Sequence, residues 1–246
     1  MNKWGIIGLL VFIYLVALVV LLPARFVLQF VQPPAEVEWG AVSGSIWSGQ
    51  IGTLRVQDIT LREIDWRLSP LALVVGRAQV SLHIGDHPDN IITGQGELRM
   101  SSSTLAVEAL NLHGRVADLA TLSPVPSPFA LQGEFSLNLT HYQWGQPLCS
   151  ELNGQVQVNN AALQIGRNWE ELGDFNADLN CENGRIIALL DDANRLGLTA
   201  DAEIWAQGAR AEFSINPPPE APRAIRNLMD VLPPEARQTQ RLNFTF

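Results

Sequence analysis

Leu54-Arg55-Val56-Gln57-Asp58-Ile59-Thr60-Leu61-Arg62-Glu63-Ile64-Asp65-Trp66-Arg67-Leu68 alternates apolar and polar side chains along nearly its whole length. Successive side chains of a strand point to opposite faces, so the stretch reads as strands with one buried face. The phase slips by one between Val56 and Ile59 and again between Leu61 and Ile64, which marks bulges or tight turns. Alternation returns at Val80 to Ile84, Leu98 to Met100, Phe135 to Leu139, Val156 to Val158, Leu163 and Ile165, and Phe175 to Cys181. It continues at Ile187 and Leu189, Leu196 to Ala206, Ala211 to Ile215 and Leu242 to Phe246. Turn signals separate these runs: Gly85 to Asn90, Asn159-Asn160, Glu182-Asn183-Gly184 and Gln207-Gly208. The expected fold class is therefore mainly β, a curved antiparallel meander with one or two short helices.

Two segments break the period of two. Arg115 to Leu122 reads as a short amphipathic helix before the Pro-rich stretch from Ser123 to Pro128. Pro222 to Leu232 sets Ile225, Leu228, Met229 and Leu232 on one helical face, with Pro near its start and Pro233-Pro234 beyond its end. Gly-led alternating runs begin at Gly96, Gly133 and Gly154, on both sides of Pro124-Pro126-Pro128. They predict two similar β-halves with a boundary near residue 125.

Ahead of the β-rich part, Trp4 to Ala24 runs 21 residues without a charge and is mostly Leu, Val, Ile and Phe. At about 1.5 Å per residue this spans a hydrocarbon core roughly 30 Å thick. A cleaved signal peptide would have an apolar core of about 7–15 residues and small residues at its cleavage site; here Leu21-Leu22-Pro23-Ala24-Arg25-Phe26 follows a longer core. The reading is a retained helix: residues 1–3 cytoplasmic, 4–24 transmembrane and 25–246 an exported β-rich domain. Lys3 on the short side sets the direction, opposed by Arg25 on the other flank.

The chain is acidic, with 25 Asp and Glu against 16 Lys and Arg, and it has no basic cluster. That excludes nucleic acid and an anionic surface held by a basic patch as partners. Two cysteines, Cys149 and Cys181, lie 32 positions apart. In an oxidising compartment they are expected to form a disulfide, since neither has a second Cys or a His at metal-ligand spacing.

Catalytic and metal chemistry find no footing. His83, His87, His113 and His141 share no ligand spacing. Gly44-Ser45-Ile46-Trp47-Ser48-Gly49 is not a nucleophile elbow, because each serine has the wrong neighbours, and it reads as a strand with small residues on one face. Asp86, His87 and Asp89 sit among the Gly, Pro and Asn of a hairpin turn. Glu170-Glu171 and Asp191-Asp192 are adjacent pairs whose side chains diverge on a strand. No enzyme activity, cofactor or metal is expected.

Val42 to Gly49, then Ile64-Asp65-Trp66-Arg67-Leu68-Ser69-Pro70, then Gly76-Arg77-Ala78 resemble protein N of the bacterial type II (general) secretion pathway. That family carries a G-x-[LI]-W-x-G element, a later W-x-L-x-P and a Gly-led strand, all after one N-terminal transmembrane helix. The positions that carry the likeness are Gly44, Trp47, Gly49, Trp66, Pro70 and Gly76. The resemblance implies an accessory of the machine that moves folded proteins from the periplasm through an outer-membrane secretin. Its expected partners are inner-membrane subunits of that machine and the secretin itself. The β-rich architecture also resembles the AsmA and TamB group, whose curved sheets present an apolar groove to lipid. Lipid is thus the alternative partner, with Trp47 and Trp66 lining an open groove instead of filling a core.

Overall fold

The computed structural model describes residues 3–29, 37–57, 59–122, 129–219, 221, 223, 226–227 and 239–245. Helices α1 (Lys3–Val20) and α2 (Ala24–Leu28) lead into β1 (Val37–Trp39), β2 (Val42–Gly44), β3 (Ser48–Val56) and β4 (Ile59–Leu68). After α3 (Pro70–Val74) come β5 (Ala78–Ile84), β6 (Ile92–Met100), β7 (Leu105–Arg115) and α4 (Val116–Ala120). Then follow β8 (Leu131–Trp144), β9 (Cys149–Ile165), β10 (Asn168–Glu182) and β11 (Arg185–Leu190). The chain closes with β12 (Leu198–Trp205), β13 (Gly208–Ile215) and β14 (Gln240–Thr245).

All 14 strands form one antiparallel sheet in the order β1-β3-β4 and onward to β14, with β2 pairing β3 beside this path. The meander expected from the alternation is present, and with it the short helices α2, α3 and α4, of which α4 lies within the expected Arg115 to Leu122. Residues 223 and 226–227 of the expected helix at Pro222 to Leu232 are helical; the rest of it and the residues around 125 lie outside the described residues. On either side of that stretch β7 and β8 pair from Ala106↔Gln143 to Arg115↔Glu134, so the sheet runs on without interruption.

The register shows how alternation builds two unlike faces. Leu139, Gly154, Leu179, Ala188, Ala202, Ala211 and Leu242 lie opposite one another in turn across β8 to β14. The adjacent row is Asn138, Gln155, Asp178, Leu189, Asp201, Glu212 and Arg241. Its members bond across strands, with Gln155 Nε2 donating to Asp178 at 2.9 Å and Arg241 Nε lying 2.8 Å from Glu212. A buried apolar cluster forms where Ala161, Leu172 and Leu196 meet Val158, Leu163, Ile165, Phe175 and Leu198.

Each slip in phase has a backbone cause. Between Val56 and Ile59 the chain turns from β3 to β4, entering the turn through Gln57 at φ 53°. Between Leu61 and Ile64 stands Glu63 at φ 57°, and both apolar neighbours remain buried, at 8% and 6% exposure. Asn159-Asn160 is not the expected turn. It is an irregularity inside β9, where Asn160 has φ 51° and the pairing with β10 shifts around Gly173. The Gly44 to Gly49 stretch is likewise no continuous strand, since β2 ends at Gly44 and β3 begins at Ser48. Asp191 and Asp192 lie beyond the end of β11, where Asp191 Oδ1 accepts the Ala193 N–H at 3.0 Å.

The N-terminal helix is shorter than the 4–24 expectation. It ends at Val20, because Pro23 offers no N–H and disfavours helical geometry at the residue before it. Eighteen residues at about 1.5 Å each reach roughly 27 Å. Among the described residues, no helix is long and apolar enough to cross a membrane. The large side chains of α1 are nonetheless exposed, from 40% at Ile6 to 84% at Trp4.

Antiparallel strands leave their connections at two ends of the sheet. At one end, here called the helix end, lie residues 45–47, 69–77, 101–104, 145–148, 183–184 and 206–207. At the far end lie 85–91, the α4 region, 166–167 and 191–197. Asn90 organises one far-end loop. Its side-chain oxygen accepts the Arg62 N–H at 2.7 Å, and its amide nitrogen donates to the carbonyls of Arg62 and Gly85 at 3.0 and 2.8 Å.

Candidate functional site

The turn from β2 to β3 is built for close backbone approach. Gly44 has φ 91°, and a Cβ there would lie 2.5 Å from the Ser48 carbonyl oxygen. The Ser45 N–H donates to that oxygen at 2.9 Å, while Ser45 Oγ accepts the N–H groups of Trp47 and Ser48 at 3.2 and 3.3 Å. This small network pins the turn and aims Trp47 at α1. The Trp47 indole N–H donates to the Val19 carbonyl at 3.1 Å, and the Ile46 N–H donates to the Leu22 carbonyl at 3.1 Å. The last carbonyls of a helix have no partner within it, so this turn serves as the C-terminal cap of α1. Pro23 and Ser45 form a β-bridge alongside.

Trp66 completes the junction from β4. It stands opposite Gly49, where a Cβ would come within 2.3 Å of Trp66 Cζ2, so the ring lies flat against β3 only because residue 49 lacks a side chain. Its indole N–H donates to the Ile46 carbonyl at 3.4 Å, and the Leu68 N–H donates to the Trp47 carbonyl at 2.8 Å. Directly after β4, Ser69 caps α3 by accepting the Ala72 N–H, and Pro70 occupies the first turn. Gly76 at φ 74° ends that helix, donating to the Leu73 carbonyl at 3.0 Å. Gly44, Trp47, Gly49, Trp66, Pro70 and Gly76 thus all stand at the helix end of the sheet. The structure brings Gly44, Trp47, Gly49 and Trp66 together in one joint and gives Pro70 and Gly76 the two termini of α3.

Sequence reasoning missed α3 itself. Its Leu71, Val74 and Val75 are 81%, 84% and 70% exposed, and Leu73 is also exposed. The signal was legible, since Ser69, Pro70 and Gly76 are an N-cap, a first-turn proline and a C-terminal glycine around an apolar run.

The expected disulfide is present: Cys149 at the start of β9 bonds Cys181 near the end of β10, with Cα atoms 6.1 Å apart. Beside it the Tyr142 hydroxyl donates to the Leu148 carbonyl at 2.7 Å, and burial raises the Tyr142 pKa above its ordinary value. An open depression of about 670 Å³ spans β3 to β7, lined by Gln50, Asp65, Arg67, His83, Gln95 and Glu97, with Trp66. Next to it Arg99 pairs with Glu97 at 3.5 Å and Glu108 at 2.7 Å. This is a charged, hydrogen-bonding surface of mixed sign. The Asp86, His87 and Asp89 segment is a turn, as expected, with Asp89 held 3.2 Å from Arg62. Among the described residues no three His, Cys, Asp or Glu side chains are grouped to hold a metal.

Residues 35–243, which hold the entire sheet up to β14, match the family model described as type II secretion system (T2SS), protein N. The chain is 25% identical over 228 residues to the type II secretion system protein N of Vibrio cholerae serotype O1 (strain ATCC 39315 / El Tor Inaba N16961), covering 90% of this chain and 88% of that one. It is 28% identical over 235 residues to the protein of the same description from Aeromonas hydrophila, covering 92% and 90%. No solved structure matches the chain. The match over residues 35–243, which include Trp47 and Trp66, leads to one conclusion: the chain belongs to the type II secretion system protein N family.

Proposed function

We propose that this chain is a non-enzymatic accessory of the type II secretion system, tethered in the inner membrane by α1, with its N-terminus cytoplasmic and its sheet periplasmic. The observation that carries the secretion role is the family match from residue 35 to 243. The tether rests on the exposed apolar surface of α1, which water would not tolerate as a free-standing helix. Its roughly 27 Å falls a few Å short of a ~30 Å core, a mismatch that local thinning and the apolar Leu21-Leu22 step accommodate at fractions of a kcal/mol per Å. The disulfide supports an oxidising compartment for the sheet.

Docking to other inner-membrane subunits and to the secretin would use the sheet's own chemistry. The mixed-charge surface over β3 to β7 offers donors and acceptors, and β14, the last strand in the order, offers a backbone edge for strand addition. The apolar-groove alternative has no observation of its own. Exposed large apolar side chains gather on α1 and α3, others stand near the sheet's two ends, Leu122, Phe129 and Trp169 at the far one, and along the strands they occur singly, as at Leu82, Leu189 and Leu242.

The test is deletion of the gene followed by measurement of a secreted folded protein in the medium, with cross-linking in native membranes. Loss or slowing of secretion, restored by the full chain, together with cross-links to machine subunits, is the expected result. Undiminished secretion and no such cross-links would refute the proposal.

A further inference from the structure

The two ends of the sheet differ in chemistry. Ser45 to Trp47, Ser69 to Arg77, Ser101 to Thr104, Gly145 to Leu148, Asn183-Gly184 and Ala206-Gln207 contain no acidic residue in a chain with a net charge of −9. The far-end connections hold Asp86, Asp89, Asp118, Asp191 and Asp192. At the helix end large apolar and aromatic side chains are exposed beside uncharged polar ones such as Ser102, Thr104, Gln146 and Asn183, whereas at the far end Leu122, Phe129 and Trp169 are exposed among the acids. Leu71 and Val74 on α3 are more than four-fifths exposed, Met100 and Leu105 flank the β6–β7 turn at 44% and 36%, and Trp144 is 52% exposed. The C-terminus of α1 is hydrogen-bonded to this same end through Trp47 and Ile46.

We infer that the helix end of the sheet is a second lipid-contact surface, with α3 dipping its Leu71, Leu73, Val74 and Val75 side chains into the bilayer surface beside the point where α1 leaves it. The inference rests on reading α1 as a membrane tether. Three features select lipid as the occupant. The surface is continuous with the end of the apolar helix. Its turns lack the acids that anionic headgroups would repel, and Arg77 closes the α3 segment. Its ring of Leu, Val, Met and Trp is the composition that settles at an acyl–headgroup boundary, where an apolar face lies about 5–10 Å deep. Two attachments fix an orientation that one flexible tether cannot, so the sheet stands with its acidic end away from the membrane.

Fluorescence in reconstituted vesicles tests this. The native cysteines are both in the disulfide, so Leu71→Cys, Val74→Cys, Asp89→Cys and Phe12→Cys each add one free thiol for an environment-sensitive dye. The full chain is inserted into phosphatidylethanolamine–phosphatidylglycerol vesicles, and quenching by spin-labelled lipid is compared with quenching by iodide. Retained disulfide and an unchanged melting transition qualify each labelled protein. Dyes at 71 and 74 should lose roughly half or more of their emission to lipid spin labels while iodide spares them, with the reverse at 89. If 12 is quenched by lipid and both 71 and 74 by iodide, the rim contact is wrong and the tether stands. If 12 itself is open to iodide, the tether reading fails and this inference with it. Dyes at 71 and 74 shielded from both quenchers would mean a protein cover, which also overturns it.

Discussion

At residue 49 the family-type glycine is a matter of space. A Cβ there would lie 2.3 Å from both the Ser43 carbonyl oxygen and Trp66 Cζ2, so backbone and ring would have to move together. At Gly76 a Cβ would meet nothing within 4 Å, and only the left-handed φ of 74° resists a side chain. Overpacking costs about 1–3 kcal/mol or more, and a left-handed non-glycine residue roughly 1–2 kcal/mol. Gly49→Ala should therefore lower the urea midpoint of the full-length protein in detergent more than Gly76→Ala, read by tryptophan fluorescence. The opposite order would contradict the crowding argument. Tyr142 gives a pH dependence. Burial raises its pKa above the ordinary 10.0, so the folded state holds the phenolic proton more tightly than the unfolded chain does. Its contribution is whole below about pH 10 and is lost as the pH climbs through the raised value. Urea midpoints between pH 8 and 12 should fall more steeply in the native chain than in Tyr142→Phe; parallel curves would remove Tyr142 from the account.

At the scale of the element, what was legible depended on whether strand period and local backbone agreed. Val80 to Ile84 alternates cleanly and is β5. Leu105 to Arg115 escaped notice as a strand because Ala109, at φ 48°, interrupts the phase within β7. Asn159-Asn160 looked like a turn for the same reason that it serves as an irregularity, since Asn tolerates left-handed geometry in either setting. The length of α1 was overestimated because composition extends the apolar run to Ala24, whereas the helix ends at Val20, shortly before Pro23. The disulfide was readable because the two cysteines had no other partner type. It joins the start of β9 to the end of β10, and a loop of 32 residues predicts about 3–4 kcal/mol from chain entropy. Cys149→Ser, Cys181→Ser and the double variant should lose similar stability of that order. A double variant far less stable than either single one would mean that the side chains themselves, not the bond, hold the β9–β10 pair.

For the whole molecule the decisive fact is that the strands of the described residues all lie in one sheet, in nearly sequential order. Gly44, Trp47, Gly49 and Trp66 were legible as part of a motif, but not as a joint, because nothing in their spacing says that Trp47 reaches a carbonyl 28 positions earlier. The contrast between the ends was equally hidden, since acids spread through the sequence sort themselves only once the strands are folded back and forth. A sheet whose strands touch mainly their chain neighbours behaves as a quasi-one-dimensional array, in which stability is local and losses do not propagate far. A compact two-layer core would instead open all at once. Removing the disulfide is a clean perturbation, because Cys149 and Cys181 lie on β9 and β10, whereas β3 to β5 lie four or more strands away in the sheet order. In Cys149→Ser/Cys181→Ser, hydrogen exchange should quicken in β8 to β11 while β3 to β5 keep the protection of the native chain. A uniform rise across all strands would show that the sheet unfolds as a single unit, and that the tryptophan joint and the disulfide region support each other over its full width.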